Sequence, residues 1–234
     1  MNSTDNKINL STAEHFLKNR YQSDESEDIA KRLKIVSDLI AKTAPKGAKI
    51  CDVGCNEGKL GKLLIPQGYE VHGIDISMKV LEKAKHNQVK TYALNIETEQ
   101  FPFEDNYFEA VVSADTLVCI YDTTRVVKEI HRVLKPGGTF IVTTANVLSL
   151  PRRLLYLFGI GAFLESDLDG DNSGTIRFFT QKSLKDFIEK NGFKAQFMTS
   201  DYVTLSPNGN FKSETLAKLF PTFGACNIIS SVKV

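Results

Sequence analysis

Lys49-Ile50-Cys51-Asp52-Val53-Gly54-Cys55-Asn56-Glu57-Gly58-Lys59-Leu60-Gly61 is the stretch whose reading decides the fold. Ile50 and Val53 mark a short buried strand, and the glycines mark a turn. Leu60, Leu63 and Leu64 then form the inner face of a helix that begins there. A strand–turn–helix of this kind aims backbone N–H groups and a helix N-terminus at a ligand, and glycine lets that ligand approach the backbone. Tyr69-Glu70-Val71-His72-Gly73-Ile74-Asp75-Ile76 reads as the next strand, with a carboxylate near its C-terminal end. In a parallel sheet Asp75 sits beside the first turn, where it can accept both hydroxyls of a ribose. The two stretches together predict a nucleoside-binding half-sheet.

Glycine spacing narrows the nucleoside. A dinucleotide loop, Gly-x-Gly-x-x-Gly from Gly54, needs glycine where the chain has Asn56 and Lys59. A Walker loop needs Ser or Thr after Gly58-Lys59, and Leu60 stands there. What remains, Asp52-x-Gly54-x-Asn56-x-Gly58, resembles the acidic-x-Gly-x-Gly-x-Gly loop of class I S-adenosylmethionine-dependent methyltransferases. Asn56 replaces the middle glycine, and Asn tolerates a left-handed backbone better than most residues. Two further segments are similar to the same family. One runs from Phe101-Pro102-Phe103 through Asn106-Tyr107-Phe108 to Ala110-Val111-Val112. The other runs from Glu129-Ile130-His131 to Leu134-Lys135-Pro136-Gly137-Gly138. The resemblance covers residues 28–145 well and the rest loosely.

The totals suit this reading. The chain has 234 residues, enough for one large α/β domain, and Lys+Arg 29 against Asp+Glu 28 gives a net charge of +1. No basic excess points to nucleic acid, and no apolar run is long enough to span a bilayer. The polar stretch Met1–Asn9 lacks the apolar core of a signal peptide, and the four cysteines lie in or beside apolar runs. Both features lead us to expect a cytoplasmic protein. Cys51 and Cys55 have no second cysteine pair or histidine pair to complete a metal site, so no metal is expected.

The expected fold class is α/β: a Rossmann-like, mostly parallel seven-stranded sheet with helices on both faces and an antiparallel C-terminal hairpin. Within one domain, residues 1–44 would form N-terminal cap helices and 45–145 the cofactor-binding core. Residues 146–180 would form a substrate lid or insert, and 181–234 a helix and edge strands. Ile29, Leu33, Val36, Leu39 and Ile40 recur at helical spacing, and Pro45-Lys46-Gly47 ends that helix. Residues 77–86 form a helix with Met78, Val80, Leu81 and Ala84 inward, and 194–206 and 223–234 are the last two strands. Periodicity is lost between Ala145 and Phe179. There Pro151-Arg152-Arg153-Leu154-Leu155-Tyr156-Leu157-Phe158 reads as a lid, a membrane-surface helix or a packed excursion. The acidic run Asp167–Asp171 reads as a surface loop, since the twelfth position of a calcium loop would be Thr180 rather than Glu.

The resemblance implies S-adenosyl-L-methionine as cofactor, with S-adenosyl-L-homocysteine as product. It implies that Asp52, Val53, Gly54, Cys55, Asn56 and Gly58 hold the methionine end. Asp75 would take the ribose hydroxyls and Ile76 would pack on adenine. Asn95 and Ile96 would read the adenine edge, or Asn95 serves only a turn. Ser113 would line the crevice, and Tyr21 either covers the methionine part or is an ordinary tyrosine. No catalytic residue announces itself; Asp115, Tyr121, Asp122 and His72 qualify as bases by type only. Ser113-Ala114-Asp115-Thr116 stands where base-methylating relatives carry Asn/Asp-Pro-Pro-aromatic, so a small-molecule acceptor is expected. A module that binds the cofactor without transferring methyl is the alternative, and the sequence leaves the oligomeric state open.

Overall fold

Helix α1 (Glu27–Thr43) opens with Glu27 and Asp28 and closes with Lys42, charges that complement its dipole, and it buries Val36, Leu39 and Ile40. It packs on a sheet whose strands are β1 (Lys49–Val53), β2 (Glu70–Asp75), β3 (Lys90–Ala93), β4 (Phe108–Ala114), β5 (Leu134–Ala145), β6 (Phe193–Thr199) and β9 (Cys226–Lys233). A separate two-stranded ribbon consists of β7 (Val203–Thr204) and β8 (Lys212–Ser213). The remaining helices are α2 (Lys59–Leu64), α3 (Met78–His86), α4 (Thr123–Val133), α5 (Leu150–Leu157), α6 (Gln181–Lys190) and α7 (Glu214–Leu219). The structure, a computed structural model, describes residues 27–160, 175–205 and 211–234. Tyr21, with residues 1–26 of the expected N-terminal cap, and the acidic run Asp167–Asp171 lie outside the described residues.

The seven-stranded sheet has the order β3-β2-β1-β4-β5-β9-β6. All neighbouring pairs from β3 to β5 are parallel, and β9 runs antiparallel between β5 and β6. The expected Rossmann-like sheet is therefore present, with its antiparallel pair formed by β6 and β9. The order reverses between β1 and β4, so a ligand crevice belongs beyond the carboxyl ends of those two strands. Strands β1, β2 and β4 are covered on both faces, which is why they read as near-continuous apolar runs. One face carries Val53, Ile74, Phe108, Val111 and Phe140 against α4 and α6. The other carries Ile50, Val71, Val112 and Ile141 against α1, α2 and α3.

Several local expectations change. Leu63 and Met78 face solvent rather than the core, and the inner face of α2 is Leu60, Gly61 and Leu64. The chain from 194 to 206 is not one strand: it breaks after Thr199, where Asp201 turns inward, and resumes as β7. The segment from Pro151 is a regular helix, α5, with no fully buried residue, and its Arg152 and Arg153 donate to the Asn146, Leu148 and Thr222 carbonyls. Among the described residues no helix is long and apolar enough to cross a membrane.

Candidate active site

Asp52 and Asp75 come together because of strand register. β1 pairs with β2 so that Asp52 stands opposite Gly73, and Asp75 projects from the same face two residues farther on. Both side chains are buried, at 4% and 7% exposure. Burial, with the neighbouring Asp75 charge adding to it, pushes the Asp52 carboxyl up to about 7. Asp75 Oδ2 accepts the Asn56 N–H (3.0 Å) and Oδ1 accepts the Ser77 N–H (3.0 Å), so the carboxylate ties the glycine loop to the start of α3. Gly73 leaves room for Cys55: a Cβ there would lie 2.6 Å from Cys55 Sγ. Burial and the Asp52 charge raise both the Cys55 and Cys51 thiols, so each behaves as a small neutral group.

The loop itself is left-handed at Gly54 (φ 77°), Asn56 (φ 49°) and Gly58 (φ 73°). Asn56 therefore does adopt the backbone of the glycine it replaces. The space beside the two glycines is filled by the protein. A Cβ on Gly54 would meet Thr116 Oγ1 at 2.1 Å, and one on Gly58 would meet Ala84 and Val89 at 3.0 Å. Thr116 Oγ1 donates to the Val53 carbonyl (2.9 Å), locking the end of β4 against the start of the loop. This role of Thr116 was not readable from its type or position. Gly58 caps α2 without any side-chain bond, which leaves the first N–H groups of that helix facing the loop.

The remaining expected residues spread around this centre. Ile76 is 41% exposed beside Asp75, available to an apolar ring. Asn95 Oδ1 accepts the Glu97 N–H (3.0 Å) while the Asn95 N–H donates to Glu99 (2.8 Å), so Asn95 shapes a turn after β3. Ile96 is buried in the core cluster, and its carbonyl accepts from Arg125 (2.8 Å). Ser113 is fully enclosed, its Oγ without a hydrogen-bond partner.

Of the bases considered by type, His72 is displaced from the crevice. It lies midway along β2, between Glu70 (2.7 Å) and the Tyr92 hydroxyl (3.0 Å), packed among Phe103, Tyr107 and Phe108. Asp122 is the N-cap of α4, accepting the Arg125 N–H (3.0 Å). Tyr121 is 63% exposed on a backbone held from both sides: Glu97 accepts its N–H (2.6 Å) and Arg177 donates to its carbonyl. Arg177 also donates to the Ile120 carbonyl (2.7 Å), and the Ile176 and Arg177 N–H groups donate to Val118 (2.8 and 3.0 Å). These bonds lay the strap before α6 over the turn that follows β4.

Asp115 closes β4 with a left-handed backbone (φ 56°) and pairs with Arg32 of α1. Arg32 Nε also lies 3.8 Å from Asp201 Oδ2, a fully buried carboxylate oxygen. Asp201 Oδ1 accepts the N–H groups of Tyr202 (2.8 Å) and Cys226 (3.1 Å). This three-residue charge cluster joins α1, β4 and the turn after β6. No sequence motif signals it.

A glycine loop, two buried carboxylates and an exposed apolar side chain at the switch point of a doubly wound sheet define a nucleoside-binding α/β protein. The model of the methyltransferase domain family matches residues 51–142. A demethylmenaquinone methyltransferase from Staphylococcus aureus is 30% identical over 166 residues, covering 63% of this chain and 68% of that protein. A malonyl-[acyl-carrier protein] O-methyltransferase from Pseudescherichia vulneris is 30% identical over 114 residues, covering 48% of this chain and 45% of that protein. Among solved structures, a SAM-dependent methyltransferase from Thermotoga maritima, described as a possible histamine N-methyltransferase, superposes with a TM-score of 0.64. It is 20% identical, and the match covers 88% of this chain and 92% of that one. The chain belongs to the class I S-adenosylmethionine-dependent methyltransferases. It is an enzyme of that type with S-adenosylmethionine as its cofactor. The donor set fits a cationic nucleoside: carboxylates for ribose and positive charge, and an apolar surface for a base.

Proposed function

We propose that this enzyme methylates a small-molecule acceptor by in-line displacement at the crevice between β1 and β4. S-adenosylmethionine supplies a methyl group on a sulfonium sulfur, so the leaving group departs as a neutral thioether. The task of the chain is then alignment and exclusion of water. Asp75 takes the ribose hydroxyls, Ile76 packs on adenine, and Asn95 and Ile96 border its edge. Residues Asp52 to Gly58 cradle the methionine end. Residues 1–44 act as the cap and 146–180 as the acceptor-side insert of a single domain.

The observation that carries the acceptor class is the pair of relatives. Both are named for non-nucleic-acid acceptors, demethylmenaquinone and malonyl-[acyl-carrier protein], and each is 30% identical to this chain. The sequence Ser113-Ala114-Asp115-Thr116 after β4 and the near-zero net charge point the same way. The test is incubation with methyl-labelled S-adenosylmethionine and a cell extract, followed by separation by size. Label in the small-molecule fraction is expected. Label confined to nucleic acid would overturn the proposal.

A further inference from the structure

Helix α5 is anchored at its base and bare at its tip. Arg152 donates to the Asn146 carbonyl (2.6 Å), and Arg153 to the Leu148 and Thr222 carbonyls (2.6 and 3.0 Å). Beyond them Leu154, Leu155, Tyr156, Leu157 and Phe158 are all exposed, the last two at 76% each. Successive helical residues turn by about 100°, so five in a row face every direction round the helix.

The bare surface continues onto α7. The Arg153 guanidinium lies 4.8 Å from the centre of the Phe223 ring, and that ring is 6.0 Å from the ring of Phe220, which follows α7. Leu219 and Phe220 are exposed as well. A joined apolar surface of this kind marks an interaction site, unlike single scattered side chains. Its charge is positive. From 148 to 160 and from 211 to 223 the sequence carries Arg152, Arg153, Lys212 and Lys218 against one acid, Glu214. Glu214 pairs with Lys31 (2.7 Å) and Lys212 with Asp28 (2.7 Å). The contacts of Arg153 are carbonyls and a ring, which leave its charge standing, and Lys218 is exposed.

A protein partner, a second copy of this chain included, covers one side of a helix. Residues bare right round the last turn suit a medium that surrounds them, and basic side chains beside them suit phosphate headgroups. We propose that the tip of α5, with Leu219 and Phe220, enters the interfacial layer of an anionic phospholipid bilayer. The enzyme then works at a membrane surface that it does not span, whatever the methyl acceptor.

Sedimentation of the full chain with sucrose-loaded vesicles tests this. Vesicles of equal parts phosphatidylcholine and phosphatidylglycerol should carry the protein down, and phosphatidylcholine alone should carry less. Leu157→Ser combined with Phe158→Ser should cut the partition coefficient about tenfold or more. Lys218→Glu should weaken binding to the mixed vesicles about fivefold. Leu63→Ser, at an exposed apolar position on α2, should change nothing. Protein left in the supernatant, or bound equally to both compositions, overturns the proposal, as does an equal loss in Leu63→Ser. The double variant replaces bare side chains, so it should keep the wild-type melting midpoint. A lower midpoint shows that the chain itself covers them and overturns the proposal. A wild-type dimer that the double variant abolishes in equilibrium sedimentation also overturns it, by giving the face to a second copy.

Discussion

At Gly54 the backbone is left-handed and the space a side chain would need holds Thr116. Gly54→Ala meets both obstacles: strain of about 1–2 kcal/mol in the backbone, and displacement of a hydroxyl that bonds the Val53 carbonyl. We expect a loss of about 2–4 kcal/mol, read as a lower urea midpoint. Asp52 gives stability a pH slope of known sign. Its folded pKa of about 7 lies above the ordinary carboxylate value, so the native state keeps a proton that the unfolded chain releases. That contribution is complete below about pH 4 and is lost as pH rises through about 7. Ligand-free Asp52→Asn should therefore melt higher than wild type at about pH 8, and the two should converge near about pH 4. Parallel melting curves at every pH would count against burial as the cause. Asp75→Ala should weaken S-adenosylhomocysteine binding by about 1–3 kcal/mol, and unchanged affinity in calorimetry would remove Asp75 from the ribose role. Asp52 and Asp75 were legible because each stands at, or one residue before, the end of a strand of buried residues. Thr116 was not, because its partner Val53 lies far away in sequence.

Among elements, α6 has an N-terminus closed by a reciprocal cap. Thr180 Oγ1 accepts the Ser183 N–H (3.0 Å), and Ser183 Oγ accepts the Thr180 N–H (3.0 Å). Thr180→Ala should cost about 1 kcal/mol in thermal or urea unfolding, and an unchanged midpoint would show the cap to be redundant. The strands of the cofactor half were legible because burial on both faces leaves an uninterrupted apolar signature. Helix α5 defied the same logic. Its Leu154, Leu155, Tyr156 and Leu157 are exposed, so apolar residues there do not mark a core-facing side. Leu63 and Met78 misled for a related reason: the inner faces are filled by Leu60, Gly61 and Leu64 in α2 and by Val80, Leu81 and Ala84 in α3.

For the molecule as a whole, the tie between α1 and the segments packed against it, from the end of β4 to the β7–β8 ribbon and α7, is electrostatic as well as apolar. Asp28 accepts from Tyr202 (2.8 Å) and Lys212 (2.7 Å), Lys31 pairs with Glu214 (2.7 Å), and Arg32 stands between Asp115 and Asp201. The exposed pairs contribute little. Arg32 is different, since Arg32→Ala strands the buried Asp201 carboxylate. We expect a loss on the order of 3 kcal/mol in urea unfolding, partly restored by adding Asp201→Asn. A loss no larger than that of a surface pair would show the Asp201 charge to be solvated. Such a cluster gathers residues from three distant parts of the chain, which is why periodicity and motif gave no hint of it.

The placement of β9 bears on how the protein is made. Its residues 226–233 bridge β5 and β6 by seven and six paired positions, so the sheet is interrupted until they arrive. A nascent chain on the ribosome can assemble β1 to β5 early, yet β6 then waits as an unmatched ribbon. Until Lys233 has left the exit tunnel, the growing polypeptide presents two open hydrogen-bonding edges where the finished sheet has a closed seam. The interval between the emergence of β6 and that of β9 is therefore one in which two unpaired strand edges invite pairing with other chains.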